Sequence, residues 1–106
     1  MIYLICLDVT ERDNPAARVD AWVRRSYDTH LQPLPGCWIV SGPLAAEQIH
    51  TALRPLLGGG DRLLIVKAAS EAIWHGLDYT AAAWLADNFP GSISERIPGK
   101  TEGINS

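Results

Sequence analysis

Three short segments of branched aliphatic residues carry apolar side chains on both of their alternating faces: Ile2 to Val9 (IYLICLDV), Cys37 to Val40 (CWIV) and Arg62 to Ala68 (RLLIVKA). Runs this short, bounded by polar and turn-forming residues, read as β-strands rather than helices. A strand whose sheet is covered on one side only alternates apolar with polar residues. These do not alternate. Ile2, Leu4 and Cys6 share one face of their strand while Tyr3, Ile5 and Leu7 share the other, and the same holds for Cys37 and Ile39 against Trp38 and Val40, and for Leu63 and Ile65 against Leu64 and Val66. The sheet therefore has two apolar faces, and both need cover.

The segments between the strands supply helices for one face. Asn14 is placed to cap a helix and Pro15 to occupy its first turn, where the missing N–H costs nothing. Val19, Trp22, Val23, Ser26, Tyr27 and His30 then fall on one helical stripe, with Arg18, Ala21, Arg24, Arg25 and Asp28 on the other side. Between Thr29 and Ser41, Pro35-Gly36 sits at the centre of a turn in which Gly36 can take a positive φ, giving a β-hairpin. Pro33 cannot donate to a ladder, so the first arm belongs at the sheet edge and the Cys37 to Val40 arm inside. Gly42-Pro43 repeats the cap-and-proline pattern ahead of a second stripe, Ala45, Ile49, Ala52, Leu53 and Leu56, which Pro55 should end. Gly58 to Asp61 links this helix to the Arg62 to Ala68 strand.

The order is strand, helix, hairpin, helix, strand, which is α+β and matches the ferredoxin-like βαββαβ sandwich with the first and third strands central. A short helical appendage follows, TAAAWLADN with Thr80 as its N-cap, stopping before Pro90-Gly91. Residues 1–90 read as a single domain that includes this appendage. Residues 91–106 read as a polar tail, expected to be mobile, in which Ser92 to Ile97 suit addition to a partner's sheet edge.

Composition narrows the functional classes. Nine Lys and Arg against twelve Asp and Glu give a net charge of −3, and 47% of residues are apolar, four of them Trp. An acidic balance argues against indiscriminate nucleic-acid binding, and the apolar content is generous for a chain with one core. No apolar run is long enough for a membrane span and no leader pattern is present, so a cytoplasmic protein is the expectation. Cys6 and Cys37 form no Cys-x-x-Cys motif and read as buried thiols. The second apolar face points to a two-fold homodimer, or to the Trp74 to Phe89 segment folding back over it.

Few residues suggest chemistry. Asp8 ends a central strand, a position where carboxylates often serve catalysis or metal binding, and two copies meeting at a two-fold axis could hold one Mg²⁺. Its simpler role is to shape the Asp8-Val9-Thr10 turn. His30, His50 and His75 lack metal-ligand spacing. The three-glycine run lacks the Lys-Ser/Thr of a phosphate loop. Arg18 and Arg25 lie on one side of the first helix with Arg12 upstream, a stripe that could follow phosphates, yet Glu11, Asp13, Asp20 and Asp28 are interspersed.

The first strand, the Cys37-Trp38-Ile39-Val40 arm, the helix opening Leu44-Ala45-Ala46-Glu47-Gln48-Ile49 and the Asp61-Arg62-Leu63-Leu64-Ile65-Val66-Lys67 strand together resemble small bacterial proteins of the "SinR family". These are grouped with the ferredoxin-like CRISPR-associated proteins of the second family, the non-integrase subunit of spacer acquisition. The resemblance covers roughly residues 1 to 88, and the segment with Trp74 and Trp84 is similar to the tryptophan-rich ending of the SinR group. It implies a homodimer and places Asp8 at the family's strand-end aspartate, linked in some members to metal-dependent nuclease activity. The chain departs from the CRISPR pattern in carrying Cys37 where Ser tends to precede the aromatic residue, and in its negative charge. The expected function is a homodimeric ferredoxin-like interaction module rather than an efficient enzyme. The alternative is a Mg²⁺-dependent endonuclease using paired Asp8 carboxylates.

Overall fold

A computed structural model describes residues 1–9, 14–89, 91 and 93–94. The chain divides into two units, Met1–Ala68 and Ala69–Ser106. The first contains β1 (Ile2–Asp8), α1 (Pro15–Ser26), β2 (Thr29–Leu34), β3 (Cys37–Ser41), α2 (Ala46–Leu53), a 3-10 turn (Arg54–Leu56) and β4 (Arg62–Ala68). All four strands pair antiparallel in the order β2-β3-β1-β4. The apolar strands β1 and β3 are therefore central, and Pro33 lies on the edge strand, where its missing N–H is tolerated.

Helix α1 begins as its sequence dictates. Asn14 adopts a left-handed backbone (φ 53°) and its Oδ1 accepts from Ala17 N–H, with Pro15 in the first turn. The hairpin turns at Gly36, whose φ of 76° favours glycine. Glycine is also required sterically, because a Cβ there would stand 2.7 Å from the Leu7 carbonyl oxygen. That close approach lets Leu7 N–H donate to Gly36 O at 2.7 Å, carrying the β1–β3 ladder into the turn.

Helix α2 starts later than its sequence suggests. Gly42 does not cap it: Gly42 N–H donates to Met1 O at 3.0 Å, and the Met1 amino group donates to Gly42 O at 3.2 Å. Gly42 also packs against the Tyr27 ring, where an added Cβ would come within 2.8 Å of the ring carbons. With Gly42 committed to the sheet, Ala45 becomes the N-cap, and Gln48 Oε1 accepts from its N–H at 2.8 Å. Pro55 ends α2 as expected, tightening the chain into the 3-10 turn.

Both helices share one apolar cluster with one sheet face. Tyr3, Ile5 and Leu7 of β1 and Trp38 and Val40 of β3 are buried with Val19, Val23 and Tyr27 from the α1 side and Ile49 and Leu53 of α2. Trp38 is fully buried, and its Nε1–H donates to Asp20 Oδ1 on α1 at 3.0 Å. Asp20 also accepts from Arg24 Nε at 2.8 Å one turn along. Asp20 thus borders the apolar stripe and joins the helix to the sheet, where the sequence suggests only a member of a solvated charged face.

The second unit is built from β5 (Ile73–Trp74), α3 (Tyr79–Asn88) and β6 (Ile93–Ser94). Asp78, not Thr80, caps α3: its carboxylate accepts from Ala81 N–H at 2.8 Å, which sets the cap two residues earlier. Ala81, Leu85 and Phe89 are buried at four-residue intervals. β6 pairs parallel with β5, and Gly91 N–H donates to Ser70 O at 2.7 Å. The Ser92 to Ile97 strand expectation thus meets an intrachain partner at Ile93 and Ser94. The rest of the expected polar tail lies outside the described residues.

Two expectations about stability follow. Asp20→Ala strands the buried Trp38 N–H and should cost about 1–3 kcal/mol in urea unfolding at neutral pH, with Asp20→Asn costing less. Hydrogen bonds from Arg24 and then Trp38 hold the Asp20 carboxyl below its ordinary value. Its contribution is therefore complete above the ordinary carboxylate range and lost as pH falls through the lowered value, so the gap between wild type and Asp20→Ala should narrow in acid. The Tyr27 hydroxyl is buried with no hydrogen-bond partner among the described residues, and burial, then the proximity of Tyr3, raises its pKa. Tyr27→Phe is expected to keep or raise stability, by up to about 1 kcal/mol, in the same measurement.

Candidate functional site

Residues directly opposite one another in antiparallel strands share a face, so register fixes what lies on the side away from the helices. One row there is Leu31, Ile39, Leu4 and Val66, and the next is Leu34, Cys37, Cys6 and Leu64. Asp8, directly opposite Arg62, continues the same face at the end of β1. Leu34, Leu64 and Val66 are 55%, 57% and 43% exposed, while Leu4, Cys6, Cys37 and Ile39 are half-buried. The face is apolar through its middle and carries one charged pair at its rim.

That pair is an Asp8–Arg62 ion pair. Arg62 Nε donates to Asp8 Oδ2 at 3.0 Å and Arg62 Nη2 donates to the same oxygen. Both side chains are exposed. The carboxylate beside it raises the Arg62 pKa, first through the hydrogen bond and then through charge. Beside the pair is an open depression of about 240 Å³ lined by Cys6, Asp8, Pro35, Gly36, Cys37, Arg62 and Leu64, among others. Burial, and then the neighbouring Cys37, raises the Cys6 thiol's pKa.

Asp8 is therefore one carboxylate engaged by a guanidinium. Among the described residues no three His, Cys, Asp or Glu side chains gather as a metal site. Mg²⁺ takes near-octahedral oxygen coordination, and among the described residues Asp8 is the one carboxylate lining this depression. Arg62, which engages Asp8, escapes sequence reasoning because the pairing depends on strand register across 54 positions.

The expected arginine stripe has separate engagements. Arg18 Nη2 donates to Leu56 O at 3.0 Å, tying α1 to the 3-10 turn, whereas Arg25 is exposed on the last turn of α1. Arg12 lies outside the described residues. His30 Nδ1 is 3.0 Å from Tyr27 O. The glycine run closes into a turn in which Gly58 N–H donates to Asp61 Oδ2 at 2.7 Å and Asp61 N–H donates to Gly58 O.

No family model matches the chain, and comparison with curated proteins gives no match. Among the described residues, no helix is long and apolar enough to cross a membrane.

An exposed ion pair adds little to stability, because water screens it and two long side chains must be ordered to form it. Asp8→Asn is therefore expected to leave the urea midpoint essentially unchanged. A clear loss of stability would show that Asp8 also has a structural role beyond this pair.

Proposed function

We propose that the chain is a small interaction module of ferredoxin-like fold that pairs with a second copy of itself through the sheet face opposite its helices. The strand order β2-β3-β1-β4, with α1 and α2 as the crossovers, supports the ferredoxin-like reading. The observation that carries the association reading is the apolar face itself, with Leu34, Leu64 and Val66 standing open beside Leu4 and Ile39. Contiguous apolar surface of this kind marks interaction sites on soluble proteins.

Charge at the rim favours a second copy as the occupant. Asp8 and Arg62 put opposite charges side by side at one end of the face, and a two-fold axis can set each subunit's acid against its partner's base without adding net charge to the apolar centre. The resemblance to the "SinR family" and the CRISPR-associated second family agrees with such a dimer. A cytoplasmic setting suits two free cysteines. An acidic chain with Arg18 hydrogen-bonded to Leu56 O is poorly equipped to follow a phosphate backbone through Arg18 and Arg25.

Sedimentation equilibrium at micromolar concentration is expected to show a dimer. Leu64→Lys combined with Val66→Lys should give a folded monomer with unchanged circular dichroism. A wild-type monomer at that concentration refutes the association. A nuclease assay separates the module from the endonuclease: neither wild type nor Asp8→Asn is expected to cleave a panel of DNA and RNA with Mg²⁺ or Mn²⁺. Cleavage by wild type that Asp8→Asn abolishes would establish the enzyme reading instead.

A further inference from the structure

Cys6 on β1 and Cys37 on β3 are directly opposite each other in the ladder. The adjoining residues, Leu7 and Gly36, are joined by a backbone hydrogen bond. Hydrogen-bonded and non-hydrogen-bonded pairs alternate along antiparallel strands, so the two cysteines occupy a non-hydrogen-bonded pair. At such pairs the Cα atoms stand about 4.5 Å apart and side chains approach most closely. That spacing is at the short end of the roughly 4.4–6.8 Å range that a disulfide spans. Both cysteines are free and half-buried, and both line the open depression beside Asp8 and Arg62.

We propose that Cys6 and Cys37 are a reversible oxidative modification site, a dithiol that a low-molecular-weight disulfide such as oxidised glutathione converts into an intrachain cross-strand disulfide. One cysteine, as thiolate, attacks a glutathione sulfur. A protein–glutathione disulfide forms, the glutathione S–S bond breaks, and one glutathione thiolate leaves. The second cysteine loses its proton to water and attacks the protein sulfur of the mixed disulfide, expelling the second glutathione thiolate. Both glutathione thiolates take up protons. The protein dithiol is oxidised by two electrons and one oxidised glutathione becomes two reduced molecules.

Register explains why the second step is fast: the ladder holds the resolving thiol beside the mixed disulfide, so closure is intramolecular at high effective concentration. Ionisation limits the first step, since the thiolate is the nucleophile, so below the thiol pKa values the rate should climb about tenfold per pH unit. The two thiols lie on the sheet face that the association reading covers, so glutathione reaches them in the free chain and oxidation should quicken on dilution if that reading holds. If the chain is a monomer the rate is independent of protein concentration, and the linked product is read by mass in either case.

Incubation of the full chain with oxidised glutathione, followed by intact mass and non-reducing peptide mapping, tests this. The expected product is lighter than the reduced chain by two hydrogen atoms, links the Cys6 and Cys37 peptides, and reverts in excess reduced glutathione. Cys6→Ser and Cys37→Ser should each stop at one glutathione adduct, a readout that does not require the variant to fold. Closure in native buffer should be about tenfold or more faster than in urea at the same pH. Accumulation of a doubly glutathionylated chain, a disulfide-linked dimer as the main product, or equal closure rates in buffer and urea would overturn the proposal.

Discussion

The Met1–Ala68 unit depends on how Trp38 is buried. An indole brings the largest apolar surface a side chain can offer together with one N–H that water can no longer satisfy once it is enclosed. Asp20 resolves that conflict by accepting from Nε1 at the boundary between α1 and the sheet. The bond fixes α1 against the central strand β3, and the residues around it, Val19, Val23, Ile5 and Val40, fill space whose geometry it helps to define. Arg24 steadies the acceptor from the solvent side. A single carboxylate thus links the polar surface of a helix to the deepest point of the core.

The two faces of the sheet are filled differently. On the helix side, every large side chain of β1 and β3 is buried. On the opposite side, similar side chains stand half-buried or exposed in rows set by the register. The polar groups on that side, among the described residues, are an ion pair at one rim, two thiols one row in, and Ser41 and Thr29 in the Ile2 row at the other end.

Much of this was legible in the sequence because it rests on local rules. Asn14-Pro15 opens α1, Pro35-Gly36 turns the hairpin, and Pro55 closes α2, each through backbone preferences that act within a few residues. The start of α2 was not legible, because Gly42 is claimed by Met1 and by the Tyr27 ring, contacts made by distant parts of the chain. Asp20 escaped for a related reason. Its spacing puts it on the border of the apolar stripe, but only the enclosure of Trp38 turns a border carboxylate into a core acceptor. Asp8 illustrates the limit for sites: its place at a strand end was clear, while its partner Arg62 depends on the β1–β4 register, which no local pattern states.

The two rims of the four-stranded sheet are unequal. On β2 the register slips between Leu31 and Leu34, and Pro33 falls within that irregularity, so this edge is bent and lacks a donor. β4 runs in unbroken register along β1, from Ala68 opposite Ile2 to Arg62 opposite Asp8, and carries charge only at Arg62 and Lys67. The open face is accordingly even along β1 and β4 and irregular along β2, so anything that docks there meets two different halves.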